Sequence, residues 1–178
     1  VLSIIEFLNL TKKIFKNNFY ITITNIFFIT YIFTFSLIFF YFSQFLQLKI
    51  ILFVFLFGCI ASDIGGLILG KLFKGPKLTK LSPNKTISGA VGSIVLTTIV
   101  LSIFYFYFTN NFSYLVLILG IFTSMFCQLG DLFISFLKRK AKVKDTGNFL
   151  PGHGGILDRL DGILLGIPLS FFAFSILY

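Results

Sequence analysis

Acidic side chains are scarce in this sequence, and their placement is uneven. There are six: Glu6, Asp63, Asp131, Asp145, Asp158 and Asp161. Apart from Glu6, each lies within or beside the end of a long apolar run, close to Lys or Arg. Asp63 stands eight residues before Lys71, and Asp131 seven before Lys138. On a helix rising 1.5 Å per residue, those two carboxylates sit about 10–12 Å below the basic loops that follow them. An ionised carboxylate at that depth costs several kcal/mol unless it has a partner or faces water.

Asp158 and Asp161 are three apart, which puts both on one face of a helix, and Asp131 lies near the end of the preceding apolar run. Three carboxylates converging at one depth, ringed by Lys and Arg, make a hard-oxygen site suited to Mg²⁺ and to a substrate carrying several phosphates. The plainer alternative for any one of them is an ion pair between helices, for example Asp131 with Arg159. Between Asp131 and Asp158 runs Lys144-Asp145-Thr146-Gly147-Asn148-Phe149-Leu150-Pro151-Gly152-His153-Gly154-Gly155. Its four glycines within nine residues allow turns with exposed N–H groups, which favours anion binding. His153, the only histidine, is by default a hydrogen-bonded loop residue; contact with phosphate or proton transfer is the functional alternative. A second polar island, Lys80-Leu81-Ser82-Pro83-Asn84-Lys85-Thr86, reads as a turn leading into a helix.

The elements that must hold these residues are membrane spans. Of 178 residues, 57% are hydrophobic and 12% charged, and the mean hydropathy is +0.98. A soluble domain of this length could not hide that much apolar surface. Five stretches are long and apolar enough to cross a bilayer, roughly 19–42, 48–70, 87–108, 113–136 and 157–178. The chain therefore reads as an all-α polytopic membrane protein: a single transmembrane domain over 19–178, preceded by an interfacial helix over 1–18 with Ile4, Ile5 and Leu8 on its apolar side. Gly58, Ser62, Gly66 and Gly70, and likewise Gly162 and Gly166, recur every four residues, a spacing that lets helix backbones approach closely in lipid. Cys59 and Cys127 lie inside apolar runs without Cys or His at ligand spacing and read as packing residues.

Charge fixes the expected orientation. Lys12, Lys13 and Lys16 precede the first span, Lys71 to Lys85 follow the second, and Lys138 to Lys144 follow the fourth. Two spans separate each cluster from the next, so all three fall on one side, which the positive-inside rule makes cytoplasmic. The net charge of +9 is thus explained by topology, and nucleic acid is not the expected partner.

The run from Ser135-Phe136-Leu137-Lys138-Arg139, through Lys144-Asp145-Thr146-Gly147-Asn148 and Pro151-Gly152-His153-Gly154-Gly155, to Asp158-Arg159-Leu160-Asp161 resembles the signature of phosphatidate cytidylyltransferases, the CDP-diacylglycerol synthases. It covers about 27 consecutive residues of mixed polar identity. Ala61-Ser62-Asp63 with Gly66 and Gly70, followed by Ser82-Pro83-Asn84-Lys85-Thr86 and Gly89, is similar to the family's second motif. Two departures stand out: Ser88 occupies a position where the family usually has Glu, and family members usually carry more spans at the N-terminus.

The resemblance implies transfer of a cytidylyl group from CTP to phosphatidate at a bacterial inner membrane, with Mg²⁺ and a second, monovalent cation such as K⁺ as expected cofactors. It assigns Asp131, Asp158, Asp161 and Lys144 to catalysis, with Asp131 and Asp158 the principal metal ligands and Asp161 an additional one. It assigns Asp63, Ser82, Asn84, Lys85, Thr86, Lys138, Arg139, Asp145, Asn148, His153, Gly154 and Arg159 to substrate binding. Homodimerisation is compatible with the reading. A CTP-dependent lipid kinase, or a cytidylyltransferase for another lipid phosphate, would share the nucleotide residues. A transporter would place its charges near the bilayer midplane, often within inverted repeats; here they gather at one interface and no repeat is evident.

Overall fold

The computed structural model describes residues 1–79, 82, 85–147, 149 and 154–177. They form six helices: α1 (Leu2–Ile14), α2 (Asn18–Gln44), α3 (Leu46–Phe73), α4 (Ile87–Thr109), α5 (Tyr114–Lys140) and α6 (Leu157–Leu177). The last five are long and apolar enough to cross a membrane, and their bounds match the five expected spans to within a few residues. This is an integral membrane helix bundle.

Local chemistry sets where several helices begin and end. Asn17, Thr86 and Ser113 cap α2, α4 and α5 by accepting from the backbone N–H of Phe19, Gly89 and Leu115. Each cap satisfies a donor that has no partner within its helix. Lys74 and Asn110, both in left-handed conformation, close α3 and α4.

Packing is closest in two antiparallel pairs, α3 with α4 and α5 with α6, joined through α4 and α5. In the first pair, a Cβ on Gly65 would strike the backbone carbonyl of Gly92, and one on Gly89 would lie 2.8 Å from that of Gly66. The small-residue stripe is therefore used as expected, except that Gly65, outside the four-residue repeat, makes the tightest crossing, while Gly58 faces Leu101 and Thr123. In the second pair, a Cβ on Gly130 would strike the carbonyl of Asp161. That close approach sets Asp131 beside Asp161.

Hydroxyl groups link the bundle where apolar contact alone would be weakly directional. Ser93 donates to the Ser62 carbonyl at 2.6 Å, and the Ser62 and Ser124 hydroxyls meet at 3.1 Å. Cys59 and Cys127 are both buried free thiols whose sulfurs touch at 2.9 Å. That distance is well beyond a disulfide bond. In contrast, α2 is held loosely, with Phe28 its only buried residue.

Helix α1 packs on the bundle through a face that includes Ile4 and is centred on Glu6, Phe7 and Leu10. Its buried residues are Ser3, Glu6, Phe7, Leu10 and Thr11, while Ile5 is exposed. Phe7 stacks on Phe28 of α2 with ring centroids 3.8 Å apart. Leu10 joins Ile134, Leu157 and Leu164 in a core shared with α5 and α6. The buried stripe has helical spacing, but it includes a carboxylate, which must be satisfied by donors elsewhere in the chain.

Candidate active site

The regular spacing of basic clusters along the chain becomes a spatial cluster at one end of the bundle. The loop between α3 and α4 is pinned by backbone bonds: Leu78 N–H donates to Lys85 O at 2.7 Å, Ile87 N–H to Pro76 O at 2.9 Å, and Lys85 N–H to Ser82 O at 3.1 Å. Thr86, the cap of α4, also shares a 3.0 Å hydrogen bond with the Ser88 hydroxyl, which accepts from Gly75 N–H at 3.3 Å. Ser88 thus serves the loop's geometry at the position where the resembled family usually has Glu. These bonds hold the backbone of Lys85, whose ammonium pairs with the carboxylate of Asp131 on α5. The ion pair that Asp131 makes is with Lys85, not with Arg159.

Around this pair stand two further carboxylates. Asp161 lies within hydrogen-bonding reach of Asp131, and Lys138 within electrostatic reach of Asp161. Asp63, on α3, is within electrostatic reach of both Asp131 and Lys85. Three carboxylates from three spans therefore gather around Asp131, with Lys85 and Lys138 as the nearby cations. Their donors are hard oxygens of the kind Mg²⁺ takes. Among the described residues, no three acidic, His or Cys side chains close on a single point. An ion held here would therefore keep water or substrate phosphate oxygens in its shell, as Mg²⁺ commonly does.

Asp158 is turned elsewhere, so the anticipated convergence of Asp131, Asp158 and Asp161 divides in two. The Oδ1 of Asp158 receives the Lys138 ammonium at 2.7 Å. Its Oδ2 accepts from Thr146 N–H at 2.8 Å and Gly155 N–H at 3.0 Å, with the Thr146 hydroxyl also at 3.0 Å. Lys138 connects the two halves, bonding Asp158 while facing Asp161.

Among the described residues of the glycine-rich segment and the start of α6, four backbone amides are taken up inside the protein; the rest of the expected anion cradle, residues 148 and 150–153, lies outside the described residues. The N–H groups of Thr146 and Gly155 serve Asp158, and those of Ile156 and Leu157 are bonded to Glu6 at 2.9 and 2.8 Å. The protein's own carboxylates occupy the donors at the start of α6. Lys144, Asp145 and Arg159 are exposed at the same end, as is Arg139. Gly154 has φ of +81°, a conformation that favours glycine, and a Cβ there would stand 3.1 Å from Asp158. Ser82 and Thr86 lie on the pinned loop, whereas Asn84, Asn148 and His153 fall outside the described residues.

Glu6 is the site residue that sequence reasoning missed. The available signal was a lone acid on the Ser3-Phe7-Leu10-Thr11 face of an amphipathic helix. Nothing local named its partners, which lie 140 to 151 residues away.

The described residues thus form a helical membrane bundle with carboxylates and lysines gathered at one end of its spans. The family model described as "Cytidylyltransferase family" matches residues 1–177. The chain belongs to that family. It is similar to phosphatidate cytidylyltransferases of Bacillus subtilis (43% identical over 118 residues; 65% of this chain and 44% of the relative) and Rickettsia bellii (42% over 130 residues; 67% and 56%). The same holds for that of Helicobacter pylori (41% over 114 residues; 60% and 40%). The chain spans about half the length of the curated relatives it matches.

Proposed function

We propose that this chain carries the catalytic end of a phosphatidate cytidylyltransferase, joining CTP and phosphatidate to give CDP-diacylglycerol and diphosphate. The observation that carries the reading is the Lys85–Asp131 pair with Asp161 beside it, which brings both sequence motifs into one site. A non-bridging oxygen of the lipid phosphate forms the new bond to the α-phosphorus of CTP, and the bond from that phosphorus to the β-phosphate bridge oxygen breaks. Both reactants are anionic, so the site must lower their repulsion before they can approach in line.

Asp131 and Asp161, with Asp63 nearby, would hold Mg²⁺, which when bound supplies charge neutralisation at the phosphates. The anticipated ligand role of Asp158 requires its Oδ1 to exchange Lys138 for the ion, since Oδ2 is already committed to Thr146 and Gly155. Lys85 and Lys138, both partly buried, are positioned to transfer from carboxylate to phosphate when substrate arrives. Exposed Lys144 and Arg159 extend the positive rim toward water. The orientation that fits this chemistry places the mouth in the cytoplasm of a bacterial inner membrane, where CTP is available and diacylglycerol remains in the bilayer.

The test is incubation of the purified protein with phosphatidate, Mg²⁺ and CTP labelled either in the cytosine ring or at the γ-phosphate. The expected result is ring label in the extracted lipid and γ-label left in water. Ring label remaining in water, with folded protein, rejects the reading; γ-label in lipid would identify a kinase instead.

A further inference from the structure

A carboxylate that is only 6% exposed on a helix outside the sequence motifs must have a reason to be there. Glu6 receives Ile156 N–H on Oε1, and Leu157 N–H and the Thr146 hydroxyl on Oε2, the last at 3.0 Å. All three donors belong to the glycine-rich segment or the first residues of α6. The Thr146 hydroxyl also stands 3.0 Å from Asp158 Oδ2. Its single proton serves one carboxylate at a time, so Thr146 sits as a hinge pin between Glu6 and Asp158. Two signature glycines make the space: a Cβ on Gly147 would lie 2.7 Å from Glu6 Oε1, and one on Gly155 2.6 Å from Oε2.

We propose that Glu6 is a positioning residue for the active site, acting through Thr146, Ile156 and Leu157 and never touching substrate. Its carboxylate at the N-terminus of α6 complements the helix dipole and satisfies donors that have no partner within the helix. Helix α1 holds it firmly, because Phe7 and Leu10 on the same face are buried against α2, α5 and α6. The consequence reaches Asp158: with Thr146 and Gly155 fixed, Oδ2 is committed and Oδ1 alone faces Lys138. Ordering Thr146 and Gly155 beside Asp158 in advance lowers the cost of reaching the transition state and leaves substrate affinity nearly unchanged. This inference rests on the cytidylyl-transfer reading for its kinetic arm only.

The experiment compares the full chain with Glu6→Gln, Glu6→Asp and, as an exposed control on the same helix, Asn9→Ala. A glutamine can present its oxygen to one amide but turns an NH₂ toward the other donors. Peptide-level hydrogen exchange in bilayer discs is expected to speed up in Glu6→Gln across 144–157 while α3 and α4 exchange as before. Its kcat is expected to fall roughly tenfold to a hundredfold, the usual scale for residues that orient a functional group, with each apparent KM within about threefold. Glu6→Asp, which keeps the charge on a shorter arm, should recover part of the loss, and Asn9→Ala should match the parent. Wild-type kcat in folded Glu6→Gln overturns the proposal, as does unchanged exchange over 144–157. Exchange that rises throughout the bundle, with no rescue by Glu6→Asp, also overturns it and leaves Glu6 a core residue. If the parent transfers no cytidylyl group, the reading of the function fails, while the exchange measurement still decides whether Glu6 fixes the segment.

Discussion

The hydroxyl of Tyr31 on α2 donates a hydrogen bond to the backbone carbonyl of Leu164 on α6. That carbonyl is the one that Pro168, lacking an N–H, leaves without its helical donor. The bond therefore fastens the loosest span to the helix that carries Asp158 and Asp161. On one side of it lies an apolar cavity of about 450 Å³ between α2, α3 and α6, bordered by Phe35, Phe42, Leu52 and Phe171. With few apolar contacts holding α2, a single polar link carries more of its attachment than it would in a tightly packed helix.

Removing that hydroxyl tests the arrangement. Tyr31→Phe is expected to destabilise the bundle by about 0.6–1.7 kcal/mol, the range measured for hydrogen bonds between membrane helices. Pro168→Ala restores a donor inside α6, so the same Tyr31→Phe change should cost less in that background. A double-mutant cycle on unfolding in mixed micelles reads the coupling directly. Equal losses in both backgrounds would mean that Tyr31 contributes only its ring.

The carboxylate cluster makes a prediction of opposite sign for stability and activity. Asp131 stands within electrostatic reach of both Asp63 and Asp161, so repulsion is relieved when one of them becomes neutral. Asp161→Asn should leave the metal-free protein as stable as the parent or more so, while turnover falls to background. Chelation of Mg²⁺ should abolish activity reversibly, and added Mg²⁺ should raise the thermal midpoint of the parent but not that of Asp131→Asn. Lys85→Ala should lower kcat or raise the apparent KM for one substrate, as loss of a charge-assisted contact does. Full activity in Asp131→Asn would remove this cluster from the reaction.

What the sequence discloses follows from the range of each interaction. The spans are legible because a bilayer imposes length and apolarity on contiguous residues, and α2 to α6 were bounded almost to their caps. Asp131 and Asp161 could be brought together in advance, since topology returns both chain segments to the same end. Three features depended on the third dimension. The partner of Asp131 is Lys85, chosen by the backbone bonds of the 76–87 loop over the nearer-seeming Arg159. Asp158 and Asp161 share a helical face in projection, yet the amides of Thr146 and Gly155 draw Asp158 away. Glu6 meets a loop 140 residues distant, and no periodicity could reveal that.

The last prediction concerns sidedness, and it stands apart from the family likeness. The linkers after α3 and α5 are at one end of the bundle, as the Lys85–Asp131 pair requires. The basic residues cluster in these linkers and at the end of α1, while the opposite linkers carry almost none. The positive-inside rule then places positions 77 and 142 in the cytoplasm and the far end of α6 outside. In intact cells, a cysteine replacing Lys77 or Lys142 should resist a thiol reagent that cannot cross the membrane, and become reactive once the membrane is opened. A cysteine appended after Tyr178 should react from outside at once. Native Cys59 and Cys127 are buried, and the parent protein should remain unlabelled throughout. Opposite labelling of positions 77 and 142 would separate the two motifs across the bilayer and dissolve the site. Labelling of both from outside would leave the site intact but facing away from cytoplasmic CTP, and the cytidylyl-transfer reading would fall on that result alone.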